Sequence, residues 1–152
     1  MVTKKCLEIL SSGGIIIYPT DTIYGIGCDA TNLNSILKIN EIKNRKSNTP
    51  LICLMNGIEM VKNYVTNLPD ISEKYLLYSD EPTTVIFNKS KNIDSYPTSI
   101  AVRIPKNKIC LQLINKLKKP ITSTSANFSG GRPCSSTSTA SILHLDWLRI
   151  SS

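Results

Sequence analysis

Three polar clusters in this 152-residue chain carry side chains suited to gripping an anion. The first, "YPTDTIYG" (residues 18–25), breaks a β-branched run at Pro19 and gathers Thr20, Asp21, Thr22 and Tyr24 where a strand ends. Polar loops at strand ends are common ligand sites, and a hydroxyl-rich turn with no ligand reads the same way. The second, "KNRK" (43–46), closes a helix-like segment. Lys43 and Arg45 would point to different sides of a continuing helix. If the helix stops there, both can be aimed at one polyphosphate, the arginine as a bidentate fork and the lysine as a point charge. The alternative is that both merely offset the helix dipole. The third, "ITSTSANFSGGRP" (121–133), opens a tract in which eleven of the twenty residues from Thr122 to Ser141 are Ser or Thr. It reads either as a flexible low-complexity tail or as an anion-binding loop after a short strand, offering hydroxyls, the Asn127 amide and backbone N–H groups. Arg103, near the end of the apolar "AVRIP", is either an edge charge or a ligand clamp.

Other chemistries lack their residues. One histidine, His144, leaves no Ser-His-Asp triad and no multi-histidine metal site, and there is no Walker-type phosphate loop. "GIGCDA" (25–30) matches Gly-x-Gly-x-x-Ala, but "PTDTIY" separates it from the preceding strand and no acid stands ~20 residues on. Close backbone packing in a turn is the simpler expectation for Gly25 and Gly27.

The elements that must position these clusters alternate. Helices are expected over 3–11, over "TNLNSILKINEIK" with Asn32 as N-cap and Leu33, Ile36, Leu37 and Ile42 at helical spacing, over "IEMVKNYV" and "ISEKYLLY" behind the capping types Asn56 and Asp70, and over "KICLQLINKL". Strands are expected at 15–18, 50–55, 84–87 and 100–104, and one more short strand begins at 120–122. This alternation argues for one α/β or α+β domain, residues 1–152, built on a mixed sheet.

The charge of +7 and pI near 9.2 favour polyanionic partners, although net charge alone also serves solubility. Five scattered cysteines without a Cys-x-x-Cys pair fit free thiols in a reducing compartment. With no signal-like N-terminus and no apolar run near ~20 residues, a soluble cytoplasmic protein with no membrane partner is expected.

Taken in order, "YPTDTIYGIGCDA", "IKNRKSNTPLICL", "SIAVRIP" and "PITSTSANFSG" resemble the YrdC-like (TsaC) family of threonylcarbamoyl-AMP synthases over about residues 12–134. The resemblance implies a twisted open mixed α/β sheet with flanking helices and a basic cleft. It implies a nucleotidyltransferase that joins L-threonine, bicarbonate or CO2 and ATP into threonylcarbamoyl-AMP and pyrophosphate, with Mg2+ accompanying ATP. Transfer proteins then carry the group to tRNA, and some members bind double-stranded RNA or tRNA. The family's Lys-x-Arg and Ser-x-Asn signatures fall on Lys43 and Arg45 and on Ser125 and Asn127, the implied catalytic set. Thr22, Arg103 and Ser123 would line a threonine pocket; Arg45, Ser99, Ser125 and Pro133 would surround ATP.

The chain departs from the family pattern at "SDEPTT" (79–84), at Leu54 where many members have His, and at Lys46 after Arg45. It also stops short of the further strand with which members usually continue. A catalytically weakened RNA-binding module is therefore the second expectation, drawing on Arg103, Lys106, Lys108, Lys116, Lys118 and Lys119. The low aromatic content (6%) argues against a single-strand stacking platform. A sugar-phosphate enzyme such as dihydroxybutanone-phosphate synthase would need an acidic metal cluster that the sequence does not show.

Overall fold

A computed structural model describes residues 4–126 and the backbone of 148–149. In chain order the elements are α1 (Lys4–Ser11), β1 (Ile16–Pro19), β2 (Tyr24–Gly27), α2 (Leu33–Ile42), β3 (Ile52–Leu54), α3 (Ile58–Tyr64), α4 (Asp70–Tyr78), β4 (Val85–Phe87), β5 (Ile100–Arg103), α5 (Lys108–Leu117), β6 (Ile121–Ser125) and β7 (Leu148–Arg149). The strands form one sheet in the order β4-β5-β3-β6-β2-β1-β7. Pairing is parallel between β3 and β5 and between β1 and β7, and antiparallel elsewhere, so the sheet is mixed and open.

Both faces of the sheet are covered, which is why "IIIY" is apolar without alternation. Ile16 and Tyr18 pack with Leu54 and Ile121 against Cys6 and Leu10 of α1 and Cys110, Leu113 and Ile114 of α5. Ile17, Ile26, Cys53 and Val102 point the other way, towards Ile36 and Ile39 of α2, Val61 of α3 and Leu76 of α4. Burial pushes the thiols of Cys28, Cys53 and Cys110 up to about 12, so at neutral pH they are inert packing groups.

Two helix starts follow the sequence. The Asn32 side chain accepts from the Ser35 N–H, and the Asn107 side chain accepts from the N–H groups of Ile109 and Cys110. Three expectations need correction. Neither α3 nor α4 has a side-chain cap: Gly57 and Pro69 occupy those positions, and Asp70 is already the first residue of α4. The inward face of α2 is Ser35, Ile36, Ile39 and Asn40, whereas Leu33 and Leu37 are 50% and 36% exposed. The apolar repeat misled there because two leucines line a surface cavity and the buried stripe carries an asparagine.

The third correction concerns the middle of the sheet. The short strand that begins at 120–122 runs on to Ser125, so "ITSTS" is the central strand and neither a loop nor a linker. Its polar groups are absorbed locally. Thr122 is fully buried; its Oγ1 accepts the Cys28 N–H at 3.0 Å and its carbonyl accepts the Tyr18 hydroxyl at 2.6 Å. Tyr18 reaches that carbonyl by lying across Gly27. A Cβ on Gly27 would stand 2.2 Å from the Thr122 oxygen and 2.7 Å from the tyrosine ring. The glycines of "GIGCDA" thus serve close packing inside β2, not a turn. Gly27→Ala is expected to cost about 1–3 kcal/mol by forcing backbone apart, seen as a lowered melting temperature with the tyrosine ring displaced.

Candidate active site

The site starts from how α2 ends. Asn44 adopts the left-handed conformation (φ 54°), its N–H donates to the Glu41 carbonyl at 3.0 Å, and the Arg45 N–H returns to the Asn40 carbonyl at 2.8 Å. These two bonds are the Schellman arrangement, and asparagine tolerates the conformation it needs. The turn resolves the Lys43/Arg45 spacing: Lys43 caps the helix on its buried side, and Arg45 follows the reversal, half-buried.

Lys43 is 1% exposed. Its Nζ donates to the Ser125 carbonyl at 2.6 Å and lies 3.2 Å from the Ser125 Oγ, at the end of the central strand. A lysine that only offset the helix dipole would stand in solvent, so the helix-dipole explanation does not account for Lys43. Burial, and after it the nearby charge of Arg45, lowers its pKa from 10.5 to about 8. Two cations held together at such a cost, one of them buried, suit a site where opposite charge arrives with a ligand.

A second cluster shares β6. Ser123 and Ser125 are two residues apart on one strand and hence on one face, about 7 Å apart at ordinary strand rise. Beside Ser123 stands the Tyr18 hydroxyl, whose pKa burial raises well above its usual value, while a hydrogen bond with Ser123 and the charge of Arg103 pull it down. Arg103 is anchored by Thr84, whose Oγ1 accepts from Nε at 3.0 Å and Nη2 at 2.8 Å. The loop between β1 and β2 closes the group. Thr20 donates to the Ile23 carbonyl, Thr22 Oγ1 is 3.3 Å from Thr20 Oγ1, and Thr20 and Ser123 approach each other across Gly25, where a Cβ would meet both within 3.2 Å. The Lys106 N–H ties the same loop to β5 through Asp21 at 2.9 Å.

The third feature is a cavity of about 450 Å3 beyond Arg45. One wall is Ser47–Leu51, another is Ser95–Ser99, and Leu33, Ile36 and Leu37 of α2 form its apolar side. An apolar slot with a hydroxyl rim suits a planar, partly polar group.

Comparison with known proteins decides the family. The Sua5/YciO/YrdC family model, described as "Telomere recombination", matches residues 8–144. The chain belongs to this family. A threonylcarbamoyl-AMP synthase of Photobacterium profundum is 32% identical over 139 residues, covering 86% of this chain and 75% of the relative. A P. abyssi Sua5 structure superposes with a TM-score of 0.84 at 26% identity, covering 95% of this chain and 47% of that one. A second, of P. abyssi Sua5 complexed with L-threonine, gives 0.81 at 28% identity, covering 91% and 42%. The chain thus spans about three quarters of the curated relative and less than half of the Sua5 chains.

Set on this family fold, the candidate residues divide clearly. Lys43 contacts Ser125 and feels the charge of Arg45, Ser123 and Arg103 both act on Tyr18, the Thr22 loop meets Ser123 through Thr20, and Ser99 stands apart on the cavity rim. Asn127 and Pro133 lie outside the described residues. Sequence reasoning gave no role to Tyr18, a tyrosine ending an otherwise aliphatic strand, or to Thr84, which with Pro82 keeps the family pattern within 79–84. Leu54, where many members carry His, is 2% exposed and packs under α1 and α5. Lys108 and Lys116 sit at opposite ends of the ten-residue α5, roughly 12 Å apart by helix rise, while Lys106 donates to the Ser79 carbonyl and Lys119 lies 3.4 Å from Asp29. Among the described residues no helix is long and apolar enough to cross a membrane, and no group of three or more His, Cys, Asp or Glu could hold a metal ion.

Proposed function

We propose that this protein is a nucleotidyltransferase that forms threonylcarbamoyl-AMP from L-threonine, bicarbonate or CO2 and ATP. The observation that carries the reading is the spacing on β6. Ser123, with Arg103 and Tyr18, and Ser125, with Lys43 and Arg45, are about 7 Å apart, roughly the span of an amino acid with its hydrogen bonds at both ends. The name of the P. profundum relative and the L-threonine held by P. abyssi Sua5 support the same substrates.

In this mechanism Arg103, its fork fixed by Thr84, takes the threonine carboxylate, and Ser123 and Thr22 take the polar groups of the amino acid. The amine adds to CO2; the N–C bond forms, nitrogen loses a proton, and a carbamate results. A carbamate oxygen then attacks the α-phosphorus, the bond to the β-phosphate oxygen breaks, and pyrophosphate leaves with the electron pair. Lys43 and Arg45 neutralise carbamate and triphosphate as these anions meet, which ordinary repulsion would oppose. The cavity behind Arg45 receives the adenosine, with Ser99 on its rim and Ser125 near the phosphates. Mg2+ enters as part of the nucleotide substrate, carried by phosphate oxygens and water. Catalysis by position and charge needs no side-chain nucleophile, which accounts for the inert thiols. The product is an activated acyl donor, which transfer proteins pass to an adenosine of tRNA.

Purified protein given ATP and bicarbonate is expected to release pyrophosphate only when L-threonine is added. Folded protein without threonine-dependent release would overturn the reading.

A further inference from the structure

We infer that Asn40 is a positioning residue for ATP, acting through the loop that joins Arg45 to Pro50. This rests on the proposal that the cavity beyond Arg45 receives the nucleotide. Asn40 lies in the last turn of α2, completely buried. Its Nδ2 donates both hydrogens outward from the helix, to the Ser47 carbonyl at 3.1 Å and the Thr49 carbonyl at 2.9 Å. Its own carbonyl accepts the Arg45 N–H at 2.8 Å. One residue thereby fixes three points of a six-residue segment that begins with the Arg45 cation and continues as the cavity wall from Ser47 to Pro50.

The remaining atom of the amide argues that this is not simple packing. Asn40 Oδ1 is buried without a hydrogen-bond partner. A buried polar atom left unpaired destabilises the fold, and an apolar side chain of the same shape would remove that cost. Against that cost stand the two bonds from Nδ2 to the Ser47 and Thr49 carbonyls, each of only modest net worth. Leucine would remove the unpaired oxygen but leave two carbonyls without their donor, so the amide is a costly way to hold a loop that packing alone does not need. What asparagine supplies is a loop already shaped before the nucleotide arrives, so that ATP does not have to order it.

The test separates this inference from the reading beneath it. Amide hydrogen exchange on ligand-free protein, ATP binding by calorimetry, and the KM for ATP and threonine are measured for the parent, Asn40→Leu and Leu37→Trp, which crowds the cavity. For Asn40→Leu the expected result is a folded protein with a lowered melting temperature, faster exchange at residues 45–49, about tenfold weaker ATP binding with KM for ATP raised in parallel, and a KM for threonine within twofold of the parent. Parent-like exchange or ATP affinity in Asn40→Leu, with Leu37→Trp weakened, would overturn the inference while sparing the ATP cavity. Undiminished ATP binding in Leu37→Trp would overturn the cavity assignment and the inference with it. Should Asn40→Leu not fold, Asn40→Ala, which leaves room for water at both carbonyls, is held to the same outcomes.

Discussion

Lys43→Met is expected to fold about as well as the parent at neutral pH and to release pyrophosphate at least ~100-fold more slowly. Methionine matches the length of the buried stem and removes a cation whose burial is unfavourable, at the loss of the hydrogen bonds to the Ser125 carbonyl and Oγ. The two changes oppose one another, so stability moves little. Catalysis has no such compensation, since a preorganised charge facing the transferring phosphoryl group is worth roughly 10²–10³ in rate. The pH dependence gives a second readout. The Lys43 pKa in the fold, about 8, lies below the 10.5 of the free side chain. Between those values the unfolded chain holds a proton that the folded chain has released, so this group's contribution to stability rises with pH across the window and is lost again as pH falls through about 8. Activity runs oppositely, because the ammonium is the working form: turnover should fall as pH rises through about 8, and saturating ATP should move that inflection upward. The methionine variant should lack the stability rise. A variant within a few-fold of parental turnover would remove Lys43 from the mechanism.

Arg103→Lys is expected to raise the KM for threonine by about 30–100-fold while the KM for ATP stays within about twofold, from the loss of some 2–3 kcal/mol of charge-assisted, two-point recognition. Lysine keeps the charge but has no fork, and it lacks the geometry by which Thr84 Oγ1 holds two guanidinium nitrogens at once. Initial rates of pyrophosphate release against threonine concentration decide the matter. An unchanged KM would place the carboxylate elsewhere.

Much of this site could be read in the sequence because its chemistry is concentrated in short segments. "KNR" carries both cations and the asparagine that turns the chain between them, and "ITSTS" carries both serines at strand spacing. What escaped was whatever depended on packing from a distance. Tyr18 looks like the last residue of an apolar strand until its hydroxyl is seen on Thr122, 104 residues away. Thr84 has no meaning before β4 and β5 are paired. The apolar repeat assigned Leu33 and Leu37 to the core because periodicity cannot distinguish a core from a surface cavity lined by the same side chains. Asn40 looked like a polar residue on a helix, and only its burial showed that it serves the neighbouring loop.

The sequence by itself determined the alternation of strands and helices, the cap at Asn32, and the ordered segments that mark the family, since each follows from residues adjacent along the chain. Only the tertiary structure decided that a run of serines and threonines is the central strand, and that Lys43 lies beneath its end rather than in solvent. The reason is that a polar strand can be buried only where neighbours satisfy its hydroxyls and carbonyls. Those neighbours, Tyr18, Cys28 and Lys43, come from three other parts of the chain.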